Sequence, residues 1–130
     1  MKETEAFFSE KSEESLNAAM VCFEKEYYNS CVNRAYYGMF QIAVAILFKS
    51  GYKPKSKKIG HDWVQAEFTR VSVRREKRFP RLKNFLNEVQ KLRDVADYSS
   101  EKISRKKAKR VLDKATTFIE HISKEAADDT

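Results

Sequence analysis

The stretch Asn33-Arg34-Ala35-Tyr36-Tyr37-Gly38-Met39-Phe40-Gln41-Ile42-Ala43-Val44-Ala45-Ile46-Leu47-Phe48 decides how this chain folds. Between Glu26 and Lys49 its only charged residue is Arg34, in a chain where 35% of residues are charged, so the segment is hidden from water. Val32, Ala35/Tyr36, Met39, Ile42/Ala43 and Ile46 recur at alternating three- and four-residue steps. Tyr37, Phe40, Val44 and Leu47 add apolar surface on other faces, as expected of a central helix surrounded by others. The uninterrupted apolar part is short and broken by Gln41, whereas a bilayer span needs roughly 20 residues, so no membrane is expected. Arg34 is then the anomaly. A permanent cation on the most buried helix must find an acid or line a cleft.

Working outward, the residues before this helix predict a first helix capped by Ser9 or Ser12, with Glu10, Glu13 and Glu14 in its first turn. Its apolar stripe is Leu16, Ala19/Met20, Phe23 and Tyr27, and it runs to about Glu26. Tyr28-Asn29-Ser30 supplies a turn and a new cap, so helices 1 and 2 form an antiparallel hairpin. Ser50-Gly51 stops helix 2, and residues 52–60 form a loop holding Lys53, Lys55, Lys57 and Lys58 around Pro54. A short third helix is expected from His61 to about Arg70, with Trp63/Val64 and Phe68 inward. Residues 70–83 form a second basic run, read as a mobile loop or a frayed helix end. Helix 4 carries Leu82, Phe85/Leu86, Val89, Leu92 and Ala96 and stops near Tyr98-Ser99-Ser100. Helix 5 opens near Ser104 and runs to about Lys124, with Ala108, Val111/Leu112, Ala115, Phe118/Ile119 and Ile122 inward. Only 3 Gly and 2 Pro interrupt the chain. The expected fold is all-α: an up-and-down bundle of about five helices, four long and one short, with helix 2 central. It is expected as a single domain over residues 1–125, followed by a frayed tail over 126–130.

The net charge of +7 is unevenly spread: residues 49–110 hold 20 Lys/Arg against 7 Asp/Glu, while both flanks are acidic. Such asymmetry is the footprint of a polyanion or an acidic partner, or else solubilising surface. Arg105, Lys106, Lys107, Lys109 and Arg110 crowd the first turns of helix 5, where the helix dipole favours acids. Cys22 and Cys31 form no paired-cysteine motif and have no histidine cluster nearby, so they read as reduced packing residues. The start of the chain is acidic and polar rather than apolar, and the expected location is the cytoplasm.

Two spacings could carry chemistry. Arg93 and Asp97 stand four apart on helix 4, as do Asp94 and Tyr98. Helix 2 offers Arg34, Tyr37, Gly38 and Gln41 on one side. If the two helices are neighbours, these residues converge in a polar seam, which is either an anion or nucleotide site or a buried ion pair between Arg34 and Asp97 or Asp94. His61, at a helix start, is an accessory candidate, and His121 reads as a helix-flank residue. There is no phosphate-binding glycine loop, no nucleophile elbow and no metal signature, so no cofactor or metal is expected, and nucleotidyl transfer, kinase or metallohydrolase activity is not.

The run Arg34-Ala35-Tyr36-Tyr37-Gly38-Met39-Phe40, with Gly51, His61 and then Leu92-Arg93-Asp94-Val95-Ala96-Asp97-Tyr98, resembles the HEPN domain. It is most similar to the small stand-alone prokaryotic branch, with Arg-Ala-Tyr-Tyr-Ala-Met-Phe on helix 2 and Ala-Asp-Tyr ending helix 4. The resemblance implies a helical bundle, often dimeric, from a family associated with nucleotide or RNA binding. It also implies a small nucleotidyltransferase as partner in a toxin and antitoxin pair. Nuclease members place a His after an Arg with four to six residues between them. Here the positions after Arg93 are Tyr98, Ser99 and Ser100, so Arg93 carries over and the catalytic His does not. Two readings follow. The first is a non-catalytic module that binds a nucleotide, RNA or a partner protein through the Arg34/Arg93 seam, together with Lys55, Lys57, Lys58, Arg105, Lys106, Lys107 and Lys109, and that forms a homodimer. The second is a metal-independent ribonuclease in which Arg93 works with Tyr98 or His61. A phenol with a pKa of about 10 is a poor base at neutral pH, which favours the first.

Overall fold

The computed structural model describes residues 2–55, 58–74, 82 and 84–128, and the side chains of 4–55, 58–72, 82 and 84–125. It contains α1 (Lys2–Glu24), α2 (Tyr28–Lys49), α3 (His61–Arg74), α4 (Phe85–Tyr98) and α5 (Arg105–Asp128), with no strand among the described residues. The protein is the expected all-α bundle.

Helix α2 is central because nothing on it needs water for most of its length. It packs along α1 most extensively and also touches α5, α4 and α3. Cys31, Val32, Ala35, Tyr36, Met39, Ala43, Val44, Ile46 and Leu47 are all buried, on several faces of the helix. Fully burying each large apolar side chain contributes about 1.5–3 kcal/mol, so α2 dominates the stability of the fold. By length and composition α2 could cross a membrane, but 72% of its most apolar window is covered by the rest of the protein. A core helix accounts for that composition.

Helix α1 starts at Lys2, earlier than a Ser9 or Ser12 cap would place it. Ser12 is instead buried, and its hydroxyl donates to the Gly38 carbonyl at 2.7 Å. A Cβ on Gly38 would lie 3.1 Å from Ile119 Cδ1 and 3.4 Å from the Ser12 carbonyl oxygen, so this glycine lets α1, α2 and α5 meet closely. Ser15 and Gln41 hydrogen-bond one turn further along at 2.7 Å. Gly38 and Gln41 thus meet α1, whereas Tyr37 meets Arg93, so the contacts of the four divide between two neighbouring helices.

Two helix ends share one geometry. At the end of α2, Gly51 has φ 88°, its N–H donates to Phe48 and that of Tyr52 to Leu47. This is a Schellman motif, with the left-handed residue supplied by glycine. Helix α1 ends the same way, Glu26 N–H donating to Phe23 and Tyr27 N–H to Cys22, but its left-handed residue at φ 65° is Glu26. The turn therefore lies at residues 25–27, three residues earlier than Tyr28-Asn29-Ser30, which form the first turn of α2. Helix α3 continues past Arg70 to Arg74, and the rest of the second basic run falls on residues outside those described, apart from Leu82, which is buried. Ser104 caps α5, its hydroxyl accepting from Lys107 N–H at 3.1 Å. The backbone is helical through residues 126–128, where fraying was expected.

Candidate functional site

Arg93 anchors the polar seam between α4 and α2. Its side chain is 11% exposed, and Nη2 donates to Asp94 Oδ1 at 3.0 Å while Nη1 donates to the Tyr37 hydroxyl at 3.0 Å. Asp97 Oδ2 lies 3.8 Å from Nη1. The guanidinium stands 5.2 Å from the Tyr36 ring centre, 5.6 Å from that of Tyr37 and 5.9 Å from that of Tyr98. Burial alone would pull its pKa down. The hydrogen bond to Asp94 and the electrostatic pull of Tyr37, Asp94 and Asp97 outweigh it, so the pKa is raised and the cation is permanent. Its Nε is buried without a partner among the described residues.

The ion pair expected between Arg34 and these acids is not the one that forms, because Arg93 takes both carboxylates. Arg34 instead donates from Nε and Nη2 to Asn33 Oδ1, at 2.9 and 2.8 Å, and lies 5.1 Å from the Tyr37 ring centre. Asn33 Nδ2 in turn donates to Asp97 at 2.9 Å. Asn33 therefore relays Arg34 to the acid from one residue away. Counted together, two cations face two carboxylates, and the seam is close to neutral.

His61, the accessory candidate, does join the cluster. The start of α3 sets its ring 5.6 Å from Tyr36 in a stacked arrangement, 4.6 Å from Phe40 and 6.1 Å from Tyr37. Its Nδ1 lies 2.6 Å from the Tyr36 hydroxyl. Burial, with the nearby Arg93 charge, lowers the His61 pKa against smaller opposing pulls from Asp62 and Asp94. Burial pushes the Tyr36 hydroxyl up to about 12. Both groups are therefore neutral, and they share one short hydrogen bond whose donor is set by the imidazole tautomer. Tyr36 and Asn33 are the members of this network that sequence reasoning passed over. Tyr36 read as a core residue, and no local spacing marks a partner 25 residues away.

Elsewhere the cationic residues divide by their partners. Arg105 lies 4.6 Å from the Phe23 ring centre and reaches the Tyr28 hydroxyl at 3.4 Å, joining α5 to the α1–α2 turn. Lys109 pairs with Asp113 at 2.7 Å. Lys106 and Lys107 are exposed, as are Lys55 and Lys58, while Lys57 lies outside the described residues. Tyr98 is 79% exposed at the end of α4. His121 is half-buried on α5. Cys22 and Cys31 are free thiols, and burial, with Cys22 nearby, pushes Cys31 up to about 11, so it is inert. No group of three or more metal-ligating side chains is gathered among the described residues.

A helical bundle with an arginine-centred seam between its second and fourth helices defines a class that comparison with known proteins makes specific. The HEPN domain model matches residues 6–125, and the chain belongs to the HEPN domain family. Two proteins of Methanocaldococcus jannaschii are similar over 88% of this chain. "Putative toxin MJ0142" is 29% identical over 116 residues and 76% of its own length. "Putative toxin MJ0605" is 31% identical over 118 residues and 83% of its length.

Proposed function

We propose that this HEPN module is one half of a toxin and antitoxin pair, that it binds RNA or a nucleotide without cutting it, and that it acts as a homodimer. Membership in the family and the names of its two relatives support the pairing. The resemblance of its motifs supports a small nucleotidyltransferase as the partner. The observation that carries the non-catalytic reading is that both would-be catalytic groups are already engaged. Arg93 is held by two carboxylates, so it offers little net positive charge to a phosphate. Nδ1 of His61 is engaged with the Tyr36 hydroxyl, which leaves only Nε2 of the imidazole for a substrate.

Binding is then the work of the exposed cations. Lys106 and Lys107 stand in the first turn of α5 against the helix dipole, a modest cost that a polyanion would offset. Fluorescence anisotropy with a labelled single-stranded RNA across a salt series tests this. Affinity is expected to fall with salt at a slope of about −0.7 per phosphate contact. Changing Lys106→Glu, Lys107→Glu and Lys109→Glu together is expected to weaken binding with the circular dichroism spectrum unchanged. RNA affinity insensitive to both would overturn the proposal.

A ribonuclease reading has one observation in its favour: Arg93 and His61 lie against the same two rings, Tyr36 and Tyr37. Incubation of RNA with the protein and a chelator separates the two. Cleavage that vanishes in both Arg93→Ala and His61→Phe makes the protein a ribonuclease.

A further inference from the structure

Trp63, Glu67 and Arg70 follow one another at steps of four and three residues, so they form one stripe along α3. Val64 and Phe68, on another face, are fully buried in the core. The Trp63 stripe instead lines a cleft of about 520 Å³ whose other wall is the α2–α3 loop, with Lys53, Lys55 and Lys58. That volume falls within the range of small-molecule sites, and the lining combines an aromatic face, a carboxylate and several cations. None of the groups in the Arg93 seam takes part.

Glu67 is the informative member. Its Oε1 lies 3.7 Å from Arg70 Nη1, but its Oε2 is buried without a hydrogen-bond partner among the described residues. A desolvated carboxylate oxygen with no donor is costly, and a ligand that brings N–H groups would relieve that cost. Among the four bases, guanine alone presents two adjacent donors, N1–H and N2–H, matched to the two oxygens of a carboxylate. Adenine and cytosine each set a ring acceptor beside their amino group, which a carboxylate repels, and uracil offers a single donor between two acceptors. Trp63 supplies a surface for stacking the base, and the lysines supply charge for its phosphate.

We infer that this cleft is a binding subsite for a guanosine phosphate unit, either a free nucleotide or a guanine within single-stranded RNA. The base stacks on Trp63, its donor edge meets Glu67 as the carboxylate turns its buried Oε2 into the cleft, and its phosphate meets Lys53, Lys55 and Lys58. This goes beyond the binding reading above by naming a second surface and a base preference, and it does not depend on the face of α5.

The chain has one tryptophan, so its emission reports on this cleft directly. Titrations excited at the red edge of the tryptophan band would compare GMP, AMP, UMP and inorganic phosphate, and the oligomers UUGUU and UUAUU. Saturable quenching is expected with GMP or UUGUU at about tenfold lower concentration than with the adenine counterpart, the discrimination of one good bidentate contact. Saturation by UUGUU but not by GMP assigns the site to an RNA strand, and saturation by both admits the free nucleotide. Glu67→Gln is expected to erase the preference, and Lys53→Glu with Lys55→Glu to weaken binding of every nucleotide. The α5 triple variant should leave the GMP response intact. Absence of saturable quenching by either guanine ligand in the millimolar range overturns the inference, as does equal quenching by all bases that Glu67→Gln leaves unchanged. RNA binding that persists in anisotropy under either result would sink this subsite and leave the binding reading standing.

Discussion

At the scale of single residues, Arg93 bears on stability through its ion pairs and His61 through pH. Arg93→Ala leaves Asp94 and Asp97 without their cation and the Tyr37 hydroxyl without its donor. The loss is expected near about 3 kcal/mol, the lower end for breaking a buried pair, because Asp94 is half-exposed and stays solvated. Urea denaturation measures it, and a change below about 1 kcal/mol would show the seam to be dispensable to the fold. His61 acts through pH. Its folded pKa is lowered below the ordinary 6.5, so beneath that value the unfolded chain binds more protons than the folded one. The stability His61 contributes is present above 6.5 and is lost as pH falls through the folded pKa. His61→Phe should flatten the pH dependence of the thermal midpoint between about pH 8 and 5 relative to the parent. Identical slopes would remove His61 as its source.

At the scale of elements, the two Schellman ends give a matched pair of tests. Gly51→Ala forces a side chain into the left-handed region and is expected to cost about 1 kcal/mol. Nothing lies within 4 Å of a Cβ at Gly51, so the cost would be backbone strain and not a clash. Glu26→Gly relieves the same strain at the end of α1 and is expected to stabilise by up to about 1 kcal/mol, reduced by the entropy that glycine adds to the unfolded chain. Shifts of opposite sign in chemical denaturation confirm the reading, and shifts of the same sign contradict it. Gly38 is governed by packing instead. The resembled motif has alanine there, and Gly38→Leu would drive a side chain into Ile119 and the backbone of α1.

At the scale of the whole molecule, exposed apolar side chains bear on assembly. Phe7 and Val21 are 53% and 50% exposed and stand about four turns apart on nearly the same side of α1. A second copy laid antiparallel along α1 would cover both at once. The homodimer therefore predicts twice the chain mass in light scattering at high micromolar concentration. It also predicts a shift toward monomer on Phe7→Glu with Val21→Glu, while a monomeric mass in the parent protein counts against it.

How much of this was legible in the sequence follows from the range of the forces involved. The all-helical class, the centrality of α2, the stripes of α4 and α5 and the glycine stop at Gly51 were readable, because apolar periodicity and backbone conformational preference act within a few residues. The early start of α1 was not readable, because Ser9 and Ser12 look like caps, and only the packed structure shows the Ser12 hydroxyl taken up by a neighbouring helix. The sequence placed Arg34, Arg93, Asp94 and Asp97 near one another but could not say which cation takes which acid. That depends on the rotation of α2 and α4 about their axes, which is set by the sum of contacts around each helix. The same holds for Arg93 and Tyr37, which meet across 56 residues, and for His61 and Tyr36. The chain by itself determined which residues seek water and which avoid it. Only the tertiary structure decided which polar groups satisfy one another, because a buried donor takes whichever acceptor packing brings within about 3 Å, at any distance along the sequence.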